Sequence, residues 1–133
     1  MEAYKHIVQY YETDKMGITH HSNYIRWMEE ARVDFLKQIG WPFERLEACG
    51  VFSPVVDIHC KYIASTTFSD EIFITVKIQE FKGVKLVLSY EMVNSAGTKV
   101  CEGDSVHCFT DKDGKIVRLA KHLPEFCKAV DAC

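Results

Sequence analysis

A chain of 133 residues fits one domain, 1–133, around a single core, and 47% hydrophobic with 26% charged residues excludes a disordered polymer. The formal net charge of −3, with no long basic run, excludes electrostatic binding of nucleic acid as a main task. No apolar run reaches the ~18–20 residues needed to cross a bilayer, so no membrane association is expected.

The first residues, MEAYKHIVQY, alternate and carry charge. They lack the apolar stretch of a secretory signal, so the expected compartment is the cytoplasm. From Tyr4 to Tyr11, residues Tyr4, His6, Val8 and Tyr10 share one face and Lys5, Ile7, Gln9 and Tyr11 the other, which predicts a strand. A polar loop from Glu12 to His21 follows, with Glu12 read as a solvated loop charge. Ser22 is the expected N-cap of a helix. Apolar residues recur from there at Tyr24, Ile25, Met28, Ala31, Phe35, Leu36 and Ile39, which is helical spacing. Gly40 fits the C′ position, with Pro42 just beyond. The segment WPFERLEACG adds a short helical turn.

After Gly50 the period changes to two. Val51 to Ile63 reads as one long strand, bent near Ser53-Pro54. Ile72, Ile74, Val76 and Ile78 mark the next, and Phe81-Lys82-Gly83 links it to a strand marked by Val84, Leu86, Leu88, Tyr90 and Met92. A turn at 94–97 leads to a strand over Lys99–Thr110. Asp111-Lys112-Asp113-Gly114 is a hairpin turn, Ile116-Val117 a short extension, and Leu123–Val130 a terminal helix. The order β-α-β-β-β-β has no crossover helices among its later strands. The predicted class is therefore α+β, an antiparallel sheet covering one helix.

Six cysteines stand at 49, 60, 101, 108, 127 and 133, with no CxxC and no ligand spacing of a zinc site. They are expected to be reduced thiols, and no metal is expected.

The stretch YETDKMGITHHSNY, residues 11–24, concentrates acids, histidines and tyrosines with little hydrophobic content. Thr13-Asp14-Lys15-Met16-Gly17, followed by Ile18-Thr19-His20-His21-Ser22 and then Asn23-Tyr24, resembles the T-D-x-x-G loop and N-Y helix start of the 4-hydroxybenzoyl-CoA thioesterase family. His21, two residues before N-Y, matches its bacterial acyl-CoA thioesterase branch. Arg26-Trp27-Met28-Glu29-Glu30-Ala31-Arg32 is similar to the family's helix. Tyr62 to Asp70 resembles its Y-x-x-P-A-x-x-x-D segment, with Ser65 in place of the proline. The resemblance covers nearly the whole chain. It implies a hotdog fold, an antiparallel sheet wrapped around one central helix. It also implies an acyl-CoA thioesterase that needs no cofactor and assembles as a homodimer or homotetramer with sites at the interface. Of the site residues, it implies Asp14 and His21 as catalytic, and Gly17, Ser22, Asn23 and Tyr24 as substrate-binding.

The chemistry of such a loop is plain. The first N–H groups of a helix are unpaired and its dipole is positive there, so a thioester carbonyl at that end is polarised and its oxyanion stabilised. By the resemblance, the donor is the His21 N–H. Gly17 allows a tight turn. Asp14 acts either as a nucleophile, giving a mixed anhydride, or as a base on water. An ordinary aspartate is ionised at neutral pH and a weak base, which favours the nucleophile. The alternative for Asp14 is a helix cap without chemistry. The His21 side chain positions the loop or has no role, with His20 the lesser candidate, and Asn23 fixes the loop through its amide. Lys61, Lys82, Lys85, Lys99 and Arg118 are candidates for the CoA phosphates by charge alone. Two rival functions stand beside the hydrolase. One is a hotdog dehydratase pairing His20 or His21 with Glu29 or Glu30, and the other is a non-catalytic acyl-CoA binder.

Overall fold

The computed structural model describes residues 2–133. Strand β1 (Tyr4–Ile7) is followed by helix α1 (Ser22–Gln38) and a short α2 (Phe43–Ala48). Four strands come next: β2 (Val55–Tyr62), β3 (Glu71–Lys82), β4 (Lys85–Asn94) and β5 (Lys99–Cys108). Two short helices, α3 (Leu119–His122) and α4 (Pro124–Asp131), close the chain. The strands form one antiparallel sheet in the order β1-β3-β4-β5-β2.

One row of residues crosses all five strands: Tyr4 pairs with Ile74, Ile74 with Met92, Met92 with Cys101, and Cys101 with Tyr62. Ile74, Met92 and Cys101 in this row are fully buried, because helix α1 lies across this face. Of the stripe its spacing predicts, the helix contributes Tyr24, Met28, Ala31, Phe35 and Leu36; Trp27, outside that stripe, is fully buried beside them, Ile39 is partly buried and Ile25 is exposed. Each large side chain so buried is worth roughly 1.5–3 kcal/mol. Gly40 ends the helix as expected. At φ 84° it lets its own N–H reach Lys37 O and the Trp41 N–H reach Leu36 O, the paired bonds of a Schellman motif. The same core continues through Trp41, Leu46 and Phe109, where α3 and α4 add Leu119 and Phe126. Among the described residues no helix is long and apolar enough to cross a membrane.

Four expectations are corrected. The first strand stops at Ile7, because the Glu12 carboxylate accepts the Gln9 N–H and folds Tyr10–Glu12 into a 3₁₀ turn. The strand predicted from Val51 starts only at Val55. Val51 itself is buried, Phe52 makes a separate bridge to Thr110, and Pro54 has no N–H to give a ladder. Ser22 is not the N-cap: the cap position is His21, in helical geometry, and the Ser22 hydroxyl pairs with His20 Nδ1 at 2.8 Å. Glu12 is not solvated. It is buried, 3% exposed, inside a hydrogen-bond network.

Candidate active site

The loop from Thr13 to His21 is held at both ends. Thr13 bridges Thr19, the Asp14 N–H donates to Ile18 O, and the Gly17 N–H returns to Asp14 O at 3.0 Å. Gly17 sits at φ 79°, a conformation that side chains disfavour, and its carbonyl accepts the Thr67 hydroxyl at 2.7 Å. Asp14 Oδ1 accepts the Met16 N–H at 2.8 Å, so the carboxylate caps its own turn and not helix α1. Its Oδ2 takes no bond from the described residues.

The far end of the loop hangs from Glu12. Its backbone carbonyl accepts the His20 N–H at 2.8 Å and the Asn23 amide at 3.0 Å. The same amide also donates to His20 O, so Asn23 fixes the loop, as its place before Tyr24 suggested. The Glu12 carboxylate is anchored in turn by the Trp27 indole at 2.8 Å, the Gln9 N–H and His6 Nε2 at 2.8 Å. Burial alone would raise this carboxyl. The bonds from Gln9, Trp27 and His6 outweigh it and hold the group below the usual range. His6 Nδ1 continues the chain to Glu30, which also accepts the Tyr4 hydroxyl.

Helix α1 begins in a tight turn. The Asn23 N–H bonds His20 O at 3.0 Å and the Tyr24 N–H bonds His21 O at 3.3 Å. The Ser22 N–H has only a long contact to His20 Nδ1. The His21 N–H alone has no partner among the described residues, at the positive end of a 17-residue helix. The Tyr62 hydroxyl donates to His21 O at 3.1 Å and so holds this residue, through its following peptide, from the sheet side.

Asp14 and His21 line one open cleft of about 450 Å³, together with Met16, Ile18, Tyr24 and Tyr62. Of the other expected site residues, Gly17 shapes the loop, Asn23 holds it, and Ser22 faces His20. Tyr24 is buried, with its hydroxyl on Thr66 at 3.0 Å. Glu29 and Glu30 lie away from this cleft, beside Tyr4, Val33, Asp34 and Lys37. None of the lysines offered for the CoA phosphates lines it either. Lys82 and Lys85 pair with Glu80, Lys99 pairs with Glu91 and Glu102, and Lys61 lies on the outer sheet face. That outer face carries a larger hollow, about 540 Å³, but its walls are mixed charges such as Lys77 and Asp104 and it is remote from Asp14. Glu12 and His6 were missed by sequence reasoning, and Tyr62 was read only as the start of the Tyr62–Asp70 segment, with no role at the site. Only the position of Glu12, three residues after Gln9, hinted at its turn.

A sheet wrapped on one helix, with a polar loop feeding that helix's N-terminus, defines a hotdog-type α+β protein. The description "thioesterase-like superfamily" matches residues 8–130, and the chain belongs to that family. A putative acyl-CoA thioesterase, YneP of Bacillus subtilis, is 34% identical over 125 residues, covering 93% of this chain and 91% of that protein. The acyl-CoA thioester hydrolase YbgC of Escherichia coli O6:H1 is 28% identical over 97 residues, 73% of this chain and 72% of its own. A DHNA-CoA thioesterase structure from Staphylococcus aureus superposes with a TM-score of 0.94 at 27% identity, covering 98% of this chain and 89% of that one. The expected fold, family and enzyme class stand.

Proposed function

We propose that the protein hydrolyses the thioester of an acyl-CoA to the free acid and coenzyme A, with Asp14 and the His21 N–H as its working groups. One observation carries this reading: a carboxylate with an uncommitted oxygen and an unpaired helix-terminal N–H line the same cleft. The thioester carbonyl oxygen would lie against the His21 N–H, which stabilises the oxyanion. Asp14 would attack the carbonyl carbon or activate water from the opposite side. A thiolate leaves readily, so no acid need protonate it, and the His21 side chain lines the cleft without being required for proton transfer.

The dehydratase alternative needs a carboxylate from the helix beside a loop histidine. Glu29 and Glu30 sit elsewhere, and Glu30 is bonded to Tyr4 and His6, which weighs against it. Relatives named for acyl-CoA hydrolysis favour turnover over mere binding.

Assembly as a homodimer, or as a pair of dimers, belongs to the same proposal. Strand β2 is a sheet edge and carries exposed Val55, Val56 and Tyr62, with exposed Ile63 just beyond. A second copy paired there would cover apolar surface and deepen the open cleft.

The test is release of free thiol from a panel of straight-chain and aromatic acyl-CoAs without added metal. Turnover of one class supports the proposal. Binding without thiol release, or activity lost on chelation and restored by zinc, overturns it.

A further inference from the structure

We propose that Cys60 and Cys101 are a reversible oxidation site: a hydroperoxide converts the pair to an intramolecular disulfide, and the disulfide shuts down the adjoining cleft. The two sulfurs lie 3.3 Å apart on neighbouring strands, on the sheet face that meets helix α1. The register explains the approach. Directly opposite Cys60 stands Gly103, which offers no side chain, while Cys101 stands opposite Tyr62. The Cys60 thiol therefore turns diagonally onto Cys101.

The two thiols are not equivalent. The two thiols share a proton across this contact, which lowers Cys60 against the opposing effect of burial, and Cys101 is fully buried. The nearby His59 adds to the lowering, while the shared proton and burial push Cys101 the other way. Cys60 is also only half-buried. It is the attacking thiolate and Cys101 the resolving thiol. Neither of the exposed thiols, Cys49 and Cys133, has a sulfur neighbour among the described residues.

The chemistry balances in two steps. The Cys60 thiolate attacks a peroxide oxygen, the O–O bond breaks, and the products are a Cys60 sulfenic acid and an alcohol, or water from hydrogen peroxide. The Cys101 sulfur then displaces the hydroxyl as water, with its own proton, forming the S–S bond. Each sulfur loses one electron and the peroxide gains two.

The consequence for the cleft follows from the strand that moves. A disulfide needs sulfurs about 2.05 Å apart, so the pair must close by more than an ångström. Cys101 is locked in the core, whereas Cys60 lies on strand β2, which within this chain is bonded on one side only and on the other meets the second copy proposed above, so a shift of β2 is felt at that pairing as well. Two residues further along β2 is Tyr62, which holds the His21 carbonyl and lines the cleft. A shift of this kind at a positioned site costs on the order of tenfold or more in turnover.

The experiment treats the intact protein with one equivalent of hydrogen peroxide, blocks remaining thiols, and maps peptides without reduction. The expected result is a Cys60–Cys101 linked peptide, two fewer free thiols than the original six, and full reversal by dithiothreitol. In Cys101→Ser the link is absent and dimedone traps a sulfenate on Cys60. Absence of the link in the wild-type protein, or oxidation confined to Cys49 and Cys133, overturns the site. The regulatory half rests on the thioesterase reading and is measured as acyl-CoA turnover before oxidation, after it and after reduction. A linked protein with unchanged turnover overturns the shut-down. A protein that forms the link but never hydrolyses acyl-CoA supports the oxidation site and overturns the functional reading instead.

Discussion

Glu12 shows how one buried side chain sets the geometry of a loop it does not enter. Its carboxylate accepts three hydrogen bonds, and its own carbonyl suspends His20 and Asn23. In Glu12→Gln one oxygen becomes an amide donor facing another donor. Leaving such buried groups unpaired costs about 1–3 kcal/mol. Urea denaturation should show that loss, and turnover should fall with it. Unchanged stability would mean that the network is decorative. Gly17 makes a separate test of the loop. A Cβ there meets no atom within 4 Å, so only the backbone conformation matters. Gly17→Ala should cost about 1–2 kcal/mol, and Gly17→Asn less, because Asn tolerates left-handed geometry. Equal losses in urea would point to a steric cause instead. Asp14, Gly17, His21 and Asn23 were legible in the sequence because they fall in a contiguous motif. Glu12 was not, because its partners His6 and Trp27 are 6 and 15 positions away and nothing local announces a buried acid.

Periodicity made helix α1 and strands β3, β4 and β5 legible, since each buries one continuous face against the core. It failed where local hydrogen bonding overrides alternation. Tyr10 and Tyr11 continue the pattern of β1, yet Glu12 turns them into a 3₁₀ segment with both rings exposed. Val51 and Phe52 continue the pattern of β2, yet Pro54 separates them from its ladder. The helix–sheet contact carries a prediction of its own. Gly103 lets β5 pass under Met28 and beside the His59 carbonyl, and a Cβ added there would overlap both. Met28 can shift, but the His59 backbone cannot without disturbing the β2–β5 ladder. Gly103→Ala should lose about 1–3 kcal/mol, the usual range for overpacking. A urea midpoint equal to that of the wild-type protein would show that the two strands yield more easily than their pairing implies.

For the whole molecule, stability should depend on acid through His107. The ring is fully buried, with Ser105 Oγ on Nε2 at 2.7 Å and no partner on Nδ1. Burial, and then the nearby Arg32 charge, lower it from the ordinary 6.5 to about 4. Between these values the unfolded chain binds a proton that the folded chain refuses. Stability therefore falls as pH drops from about 6.5 to 4, by up to about 3 kcal/mol, and this contribution levels off below. The lowered Glu12 carboxyl acts in the same direction, but only below its ordinary 4.5. Urea unfolding at pH 7 and pH 5 should show the decline, and His107→Gln should flatten it. An undiminished slope in that variant would place its source elsewhere. Assembly is read at the same scale: light scattering at micromolar concentration should give a dimer or a tetramer, and a monomer would contradict the pairing proposed at β2.

The central claim is that Asp14 carries thioester hydrolysis while the rest of the loop positions it. Asp14→Asn keeps the shape and an oxygen for the Met16 N–H, and removes the nucleophile or base. With a turned-over acyl-CoA, the account predicts a kcat lower by about 10²–10⁴, with KM and urea stability close to wild type. His21→Ala should lose far less, because the N–H proposed to face the oxyanion belongs to the backbone. A folded Asp14→Asn protein that releases thiol at the wild-type rate would contradict the account.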